Sequence, residues 1–180
     1  DNQPQYQIIL IQLSLLDTIN KKHNMWLYKN KVIESIEQMP QNTFGFVYEV
    51  TYISTHEKYL GKKVLYFERN KKLGKKALDN LRLERKSKGM GGRTPIKQKV
   101  VTESDWETYY GSHSKIKQLL SEGKHELISR EILEFAFDKK HLTYLETKYQ
   151  FCNNVLENTE YINDNILGKF FRKDLVNPNP

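Results

Sequence analysis

The chain has 180 residues, with 29 Lys and Arg against 22 Asp and Glu and a formal net charge of +7. That length is one ordinary domain with room for an extension and enough chain to bury a core, and 11 Tyr and 8 Phe exclude wholesale disorder. The lone cysteine, Cys152, excludes an internal disulfide framework and a cysteine-built zinc site, and the positive surplus favours a polyanionic partner, most often nucleic acid.

The first apolar run, Ile8 to Leu16, is too short and too interrupted by Gln and Ser to span a bilayer, so no membrane role is expected. It also lacks the flanks of a signal peptide. Ile8 to Asn20 carries an apolar stripe at helical spacing. Trp26, Val32, Ile33, Ile36 and Met39 repeat that spacing before Pro40. Residues 1–42 therefore read as an N-terminal helical extension, and 43–180 as the main domain.

Phe44 to Ile53 alternates as a strand, Ser54 to Glu57 reads as a turn, and Lys58 to Leu65 as the return strand. With that turn Tyr52 faces Tyr59, Val50 faces Gly61 and Tyr48 faces Lys63. Side chains alternate between faces along a strand. Tyr48, Tyr59 and Lys63 then share one face around the gap at Gly61, a setting suited to a phosphate and an attacking water. A register slip of one residue would break it.

Composition changes abruptly over residues 70–99, a basic insert. Lys71, Lys72, Lys75, Lys76, Arg82, Arg85, Lys86, Arg93 and Lys97, with Lys62 just before it, supply the cations a phosphate-tracking arm needs. "ALDNLRLERK" suggests a short helix and "KGMGGRTP" a loop. Beyond the insert, Thr102 and Asp105 read as the capping pair of a helix ending at Gly111. "SHSKIKQLLSEG" reads as a second helix, with His113 as a surface cap. Leu127 to Phe137 allows a strand. Asp138 caps a long helix to about Leu156, with Leu142, Leu145, Tyr149, Cys152 and Leu156 on one face. Glu146 lies on or beside that face, where a carboxylate is costly unless paired or bound to a metal.

The ordered set "GFVY", "YLG" followed by Lys62 and Lys63, "WETYYGS", "REIL", "YLETKYQF" and "YIN" resembles the GIY-YIG nuclease superfamily, and within it the phage-encoded Seg-type homing endonucleases. The likeness runs from about Phe44 to Gly168. The first motif is one residue longer than Gly-Ile-Tyr, and the second has Leu for Ile.

The resemblance implies an α+β fold with a small antiparallel three-stranded sheet flanked by helices. It implies a DNA endonuclease using one divalent metal, Mg²⁺ or Mn²⁺, and no small-molecule cofactor. Tyr48 or Tyr59 would orient or deprotonate water while the other holds the phosphate. Lys63 would lower a phenol's pKa, an arginine (Arg69, Arg82 or Arg85) would stabilise the phosphate's charge, and Glu146 would hold the metal. Asn163 would support the core, with Gly61 and His113 as further supporting residues. Double-stranded DNA would be the partner, and the cytoplasm of a bacterial host the setting. Two rivals remain at this level: a non-catalytic nucleic-acid-binding module on the same fold, and a structural partner of another protein.

Overall fold

A computed structural model describes residues 25–175, and the predicted helix at Ile8 to Asn20 lies outside them. The described chain divides into two compact units. The first comprises residues 25–65 and 105–175, the second Tyr66–Ser104.

The first unit is built on a mixed five-stranded sheet in the order β2-β1-β7-β3-β4. Its strands are β1 (Trp26–Tyr28), β2 (Lys31–Ile33), β3 (Gly45–Tyr52), β4 (Lys58–Val64) and β7 (Ile128–Ala136). The three-stranded antiparallel expectation is corrected: the sheet has five strands, and β1 runs parallel to β7. The extra pair comes from the segment read as helical. Lys29 and Asn30 both adopt positive φ, 49° and 64°, the backbone of a tight hairpin turn between β1 and β2. Trp26 is then buried beside Phe46 and Tyr48. Residues 25–42 are thus sheet and a 3-10 turn at Ile36–Gln38, not a helical extension.

β3 alternates strictly. Phe46, Tyr48, Val50 and Tyr52 enter a core with Trp26, Trp106, Ile116, Ile128 and Ile132. Val47 turns to the opposite core with Leu60, Leu142, Leu145, Val155, Leu156 and Tyr161. Helix α3 (Lys139–Cys152) covers this second face, and the Asp138 carboxylate accepts from His141 N at its start. Helix α2 (Ser114–Ser121) buries Ile116 in the first core, with His113 as its cap. The capping-box reading at Thr102 is corrected. Its β-branched run Val100, Val101, Thr102 lies in a strand, and residues 105–112 are turn and loop. α3 also stops at Cys152, short of Leu156.

Two short strands, β8 (Asn165–Ile166) and β9 (Phe170–Phe171), and one helical turn, α4 (Arg172–Leu175), complete this unit. The Arg172 guanidinium donates to the carbonyls of Val155, Asn158, Tyr161 and Asn163, tying the turns after α3 together.

The second unit is an antiparallel ribbon of β5 (Tyr66–Lys72) and β6 (Lys97–Glu103), with helix α1 (Lys75–Ser87) between them. None of its residues is fully buried. The predicted helix and Gly-rich loop fall where expected. The flanks of the basic insert are strands, so the stretch is a folded unit rather than a bare arm.

Candidate active site

The β3–β4 hairpin sets the geometry. Tyr52 N donates to Glu57 O and His56 N to Tyr52 O, at 2.8 Å each, so the loop is Ile53–His56. The Ile53 N–H continues the ladder on the other side of β3, donating to Leu127 O next to β7. The register therefore differs from the expected one by two residues: Val50 faces Tyr59, Tyr48 faces Gly61 and Phe46 faces Lys63. A shift of two preserves the face. Tyr48 and Tyr59 rings lie 6.3 Å apart, and Lys63 Nζ stands 3.7 Å from the Tyr109 ring beside Tyr48.

The gap at Gly61 is not open. A Cβ there would lie 2.7 Å from Tyr48 Oη and 3.0 Å from Tyr59 Cε1, so the Tyr48 phenol fills it. Tyr48 is 1% exposed. Its hydroxyl is hydrogen-bonded to that of Tyr109, and burial holds its pKa well above that of a free phenol. A bulge in β7 opposite Val47 and Tyr48 marks this point of the sheet; bulges commonly re-aim a side chain next to functional sites. Tyr59 is half-buried, its hydroxyl 2.9 Å from Ser112 Oγ. Burial raises its pKa, against the opposing pull of the Ser112 hydrogen bond.

The Lys63 ammonium, on the same face as the two phenols, forms an ion pair with Asp105 at 2.7 Å, which pulls that carboxyl below its usual range and ties the 105–110 loop to β4.

Glu146 projects from α3, which packs on the face opposite Tyr48 and Tyr59. β4 is the edge strand, however, and a cleft of about 610 Å³ wraps that edge. Tyr59, Ser112, His113, Lys62, Glu146 and Asn163 all line it. The negative charge of Glu146 is felt at both Tyr59 and Tyr48, each raised by it. The phenols and Glu146 thus stand on opposite faces of the sheet, and Tyr59 and Glu146 meet around its edge in the cleft, with Tyr48 behind Tyr59.

Lys62, read only as a DNA contact, donates to Glu146 Oε2 at 2.7 Å and to Thr143 Oγ1 at 3.2 Å. Asn163 is 3% exposed and grips both backbone groups of Leu60. Leu60 N donates to its Oδ1 at 3.0 Å, and its Nδ2 donates to Leu60 O at 2.8 Å. This fixes the edge strand that presents Tyr59 and Lys62. His113 Nδ1 accepts from Lys115 N, which leaves Nε2 turned to Asp164 at 3.7 Å, and its ring lies against Tyr59.

The family description "Putative endonuclease segE, GIY-YIG domain" matches residues 26–166. The chain belongs to this GIY-YIG family. Its match begins at β1, which agrees with the hairpin of β1 and β2 being part of the domain's sheet. No match was found among curated proteins or among solved structures.

Within this GIY-YIG chain Arg69, Arg82 and Arg85 lie in the second unit, on β5 and α1. Arg82 is paired with Asp79, and Arg85 donates to Gly91 O. Arg130 lies in the first unit at 2% exposure. Its guanidinium donates to Glu107 O and Tyr109 O and stacks 3.9 Å from the Tyr110 ring centroid, a structural clamp on the loop before Ser112.

Ser112, Tyr109 and Gln150 were not singled out from sequence, and Asp164 was passed over beside Asn163. Ser112 and Tyr109 sit in the quoted "WETYYGS" motif and Gln150 in "YLETKYQF", which are the available signals; their meeting at one cleft depends on tertiary packing.

Two carboxylates border the cleft, Glu146 and Asp164, and among the described residues no group of three or more His, Cys, Asp or Glu side chains placed to hold a metal occurs. So few carboxylates in an open cleft fit Mg²⁺, which binds through one or two carboxylates and keeps waters and substrate phosphate as its other ligands. No helix of the described residues is long and apolar enough to cross a membrane.

Proposed function

We propose that this GIY-YIG chain is an endonuclease of the phage homing type that hydrolyses DNA phosphodiester bonds with one divalent ion. The observation that supports this best is the cleft at the β4 edge, which Tyr59, Glu146 and Lys62 line together and which has room for a phosphate with its waters. An ion held at Glu146 would supply positive charge to the phosphate and to the leaving oxygen.

The chain's own groups have distinct tasks. The phenol of Tyr59 stays protonated near neutral pH, so it acts as a hydrogen-bond donor that positions water or phosphate rather than as a proton acceptor. Ser112 fixes the hydroxyl's direction. Lys62 carries a cation to the same space and holds the Glu146 carboxylate in place. Tyr48 supports Tyr59 from behind through ring contact. Water adds to phosphorus as the bond to the 3′ oxygen breaks, leaving a 3′-hydroxyl and a 5′-phosphate.

Double-stranded DNA is the proposed substrate, in the cytoplasm of a bacterial host. Tyr66–Ser104 holds twelve Lys and Arg against four Asp and Glu, a surplus of eight, whereas the rest of the chain holds seventeen against eighteen. The surplus positive charge thus belongs wholly to the second unit, which supports a role for it in phosphate contact.

The test is Glu146→Gln in a plasmid-nicking assay with Mg²⁺. The amide is nearly isosteric but a far weaker ligand, so cleavage should be lost while DNA binding persists. Cleavage at the wild-type rate would overturn the metal assignment. A wild-type protein that binds DNA but never nicks it would favour the binding-module alternative.

A further inference from the structure

Gln150 follows Glu146 by four residues on α3, so the two side chains share a face. It is 5% exposed and borders the same cleft. Its Oε1 is buried and accepts no hydrogen bond among the described residues. A buried amide oxygen left unpaired is destabilising. No polar neighbour relieves it. The Asn163 amide is spent on Leu60, and the Lys62 ammonium on Glu146 and Thr143.

We infer that Gln150 belongs to the cation site, where its Oε1 accepts a hydrogen bond from the hydration shell of a divalent ion held at Glu146. The inference rests on the proposed metal assignment. A hydrated Mg²⁺ carries donors outward on every side, which is what an orphaned acceptor one helical turn from the carboxylate lacks. Gln150 is a positioning residue: it touches the ion through water and orients it relative to Glu146, as outer partners of metal ligands commonly do.

The experiment titrates Mn²⁺ into ¹⁵N-labelled full-length protein and follows paramagnetic broadening of the amides around Glu146 and Gln150. Gln150→Met should raise the Mn²⁺ midpoint about tenfold. Its metal-free thermal midpoint should stay level or rise, because an unpaired polar atom has been removed. Gln150→Glu, which keeps an acceptor at the position, should restore the midpoint or lower it.

A Gln150→Met midpoint equal to wild type would overturn the inference, as would a loss of Mn²⁺ affinity explained by unfolding of both variants. Glu146→Gln separates the two readings. If it abolishes the broadening while Gln150→Met does not alter it, only the role of Gln150 falls. If Glu146→Gln leaves the broadening unchanged, the metal assignment falls and this inference with it.

Discussion

Lys62 Nζ lies 2.7 Å from Glu146 Oε2, so the carboxylate proposed to hold a cation is already held by one. A divalent ion has to compete with this ammonium or share the carboxylate with it. Both side chains are partly exposed, and such ion pairs are worth about 0.2–1 kcal/mol. Lys62→Met should therefore strengthen Mn²⁺ binding, by no more than about fivefold given that range. It should also weaken binding to DNA. Weaker Mn²⁺ binding in this variant would show that Lys62 orients the carboxylate more than it competes for it.

The two tyrosines of the hairpin should separate in their effects. Tyr59→Phe keeps the ring but loses the hydroxyl that faces the cleft, so it should fold normally and cleave about a hundredfold more slowly. Tyr48→Phe removes a buried hydroxyl bonded to Tyr109, and its main effect should be a stability loss of about 1 kcal/mol. Burial raises the pKa of both phenols, so the cleavage rate should show no phenol ionisation up to about pH 9. Equal losses of activity in both variants, at equal stability, would return Tyr48 to a direct role.

Much of this was legible along the chain, and the errors have physical causes. Asp138, the apolar face of α3 and the stop at Gly123 are local signals, and α2, β7 and α3 lie close to where they were read. The segment at Trp26 to Ile36 was misread because Trp26, Val32, Ile33 and Ile36 fit a helical stripe as well as a hairpin. The Lys29-Asn30 turn, both residues at positive φ, decides between them. The β4 register differs by two because the loop is Ile53–His56, with His56 at positive φ, rather than Ser54–Glu57, and the two turns lie one residue apart in the same polar run. The cleft itself depends on β4 being an edge strand, and strand order is a property of the whole sheet. Lys62 looked like one more cation in a basic stretch until β4 and α3 placed it on Glu146.

Tyr52 offers a test of the first core that is independent of catalysis. Its hydroxyl is buried and has no hydrogen-bond partner among the described residues, and burial pushes its pKa up to about 12. The folded state therefore prefers the neutral phenol. Its contribution to stability is complete below the unfolded value near pH 10, and is lost as pH rises through that of the folded group. Tyr52→Phe removes the orphaned hydroxyl and the ionisation together. The variant should match or exceed wild type in thermal midpoint at neutral pH, and its advantage should grow as pH is raised from about 10 to 12. A gap between the two that stays constant with pH would mean that Tyr52 does not titrate on unfolding.

The second unit makes the sharpest electrostatic prediction. Its ladder sets Lys72 directly opposite Lys97, with Lys99 two pairs away facing Asn70. Like charges directly opposite on a ribbon are destabilising, and neither Lys72 nor Lys97 has an ion-pair partner among the described residues. Lys71 and Lys76 are likewise exposed and unpaired. An arrangement that costs folding energy in the free protein is one that a phosphate backbone would relieve. Replacing Lys71, Lys72, Lys76 and Lys97 together by Gln should leave the thermal midpoint level or higher, because repulsion is removed. The same variant should bind every DNA sequence more weakly. The slope of log K against log salt should become shallower by about three to four, near 0.9 for each lost phosphate contact. The effect should appear equally with Glu146→Gln in the background, since it concerns binding alone. An unchanged slope would show that these lysines are a solvated surface and that DNA is held elsewhere on the chain.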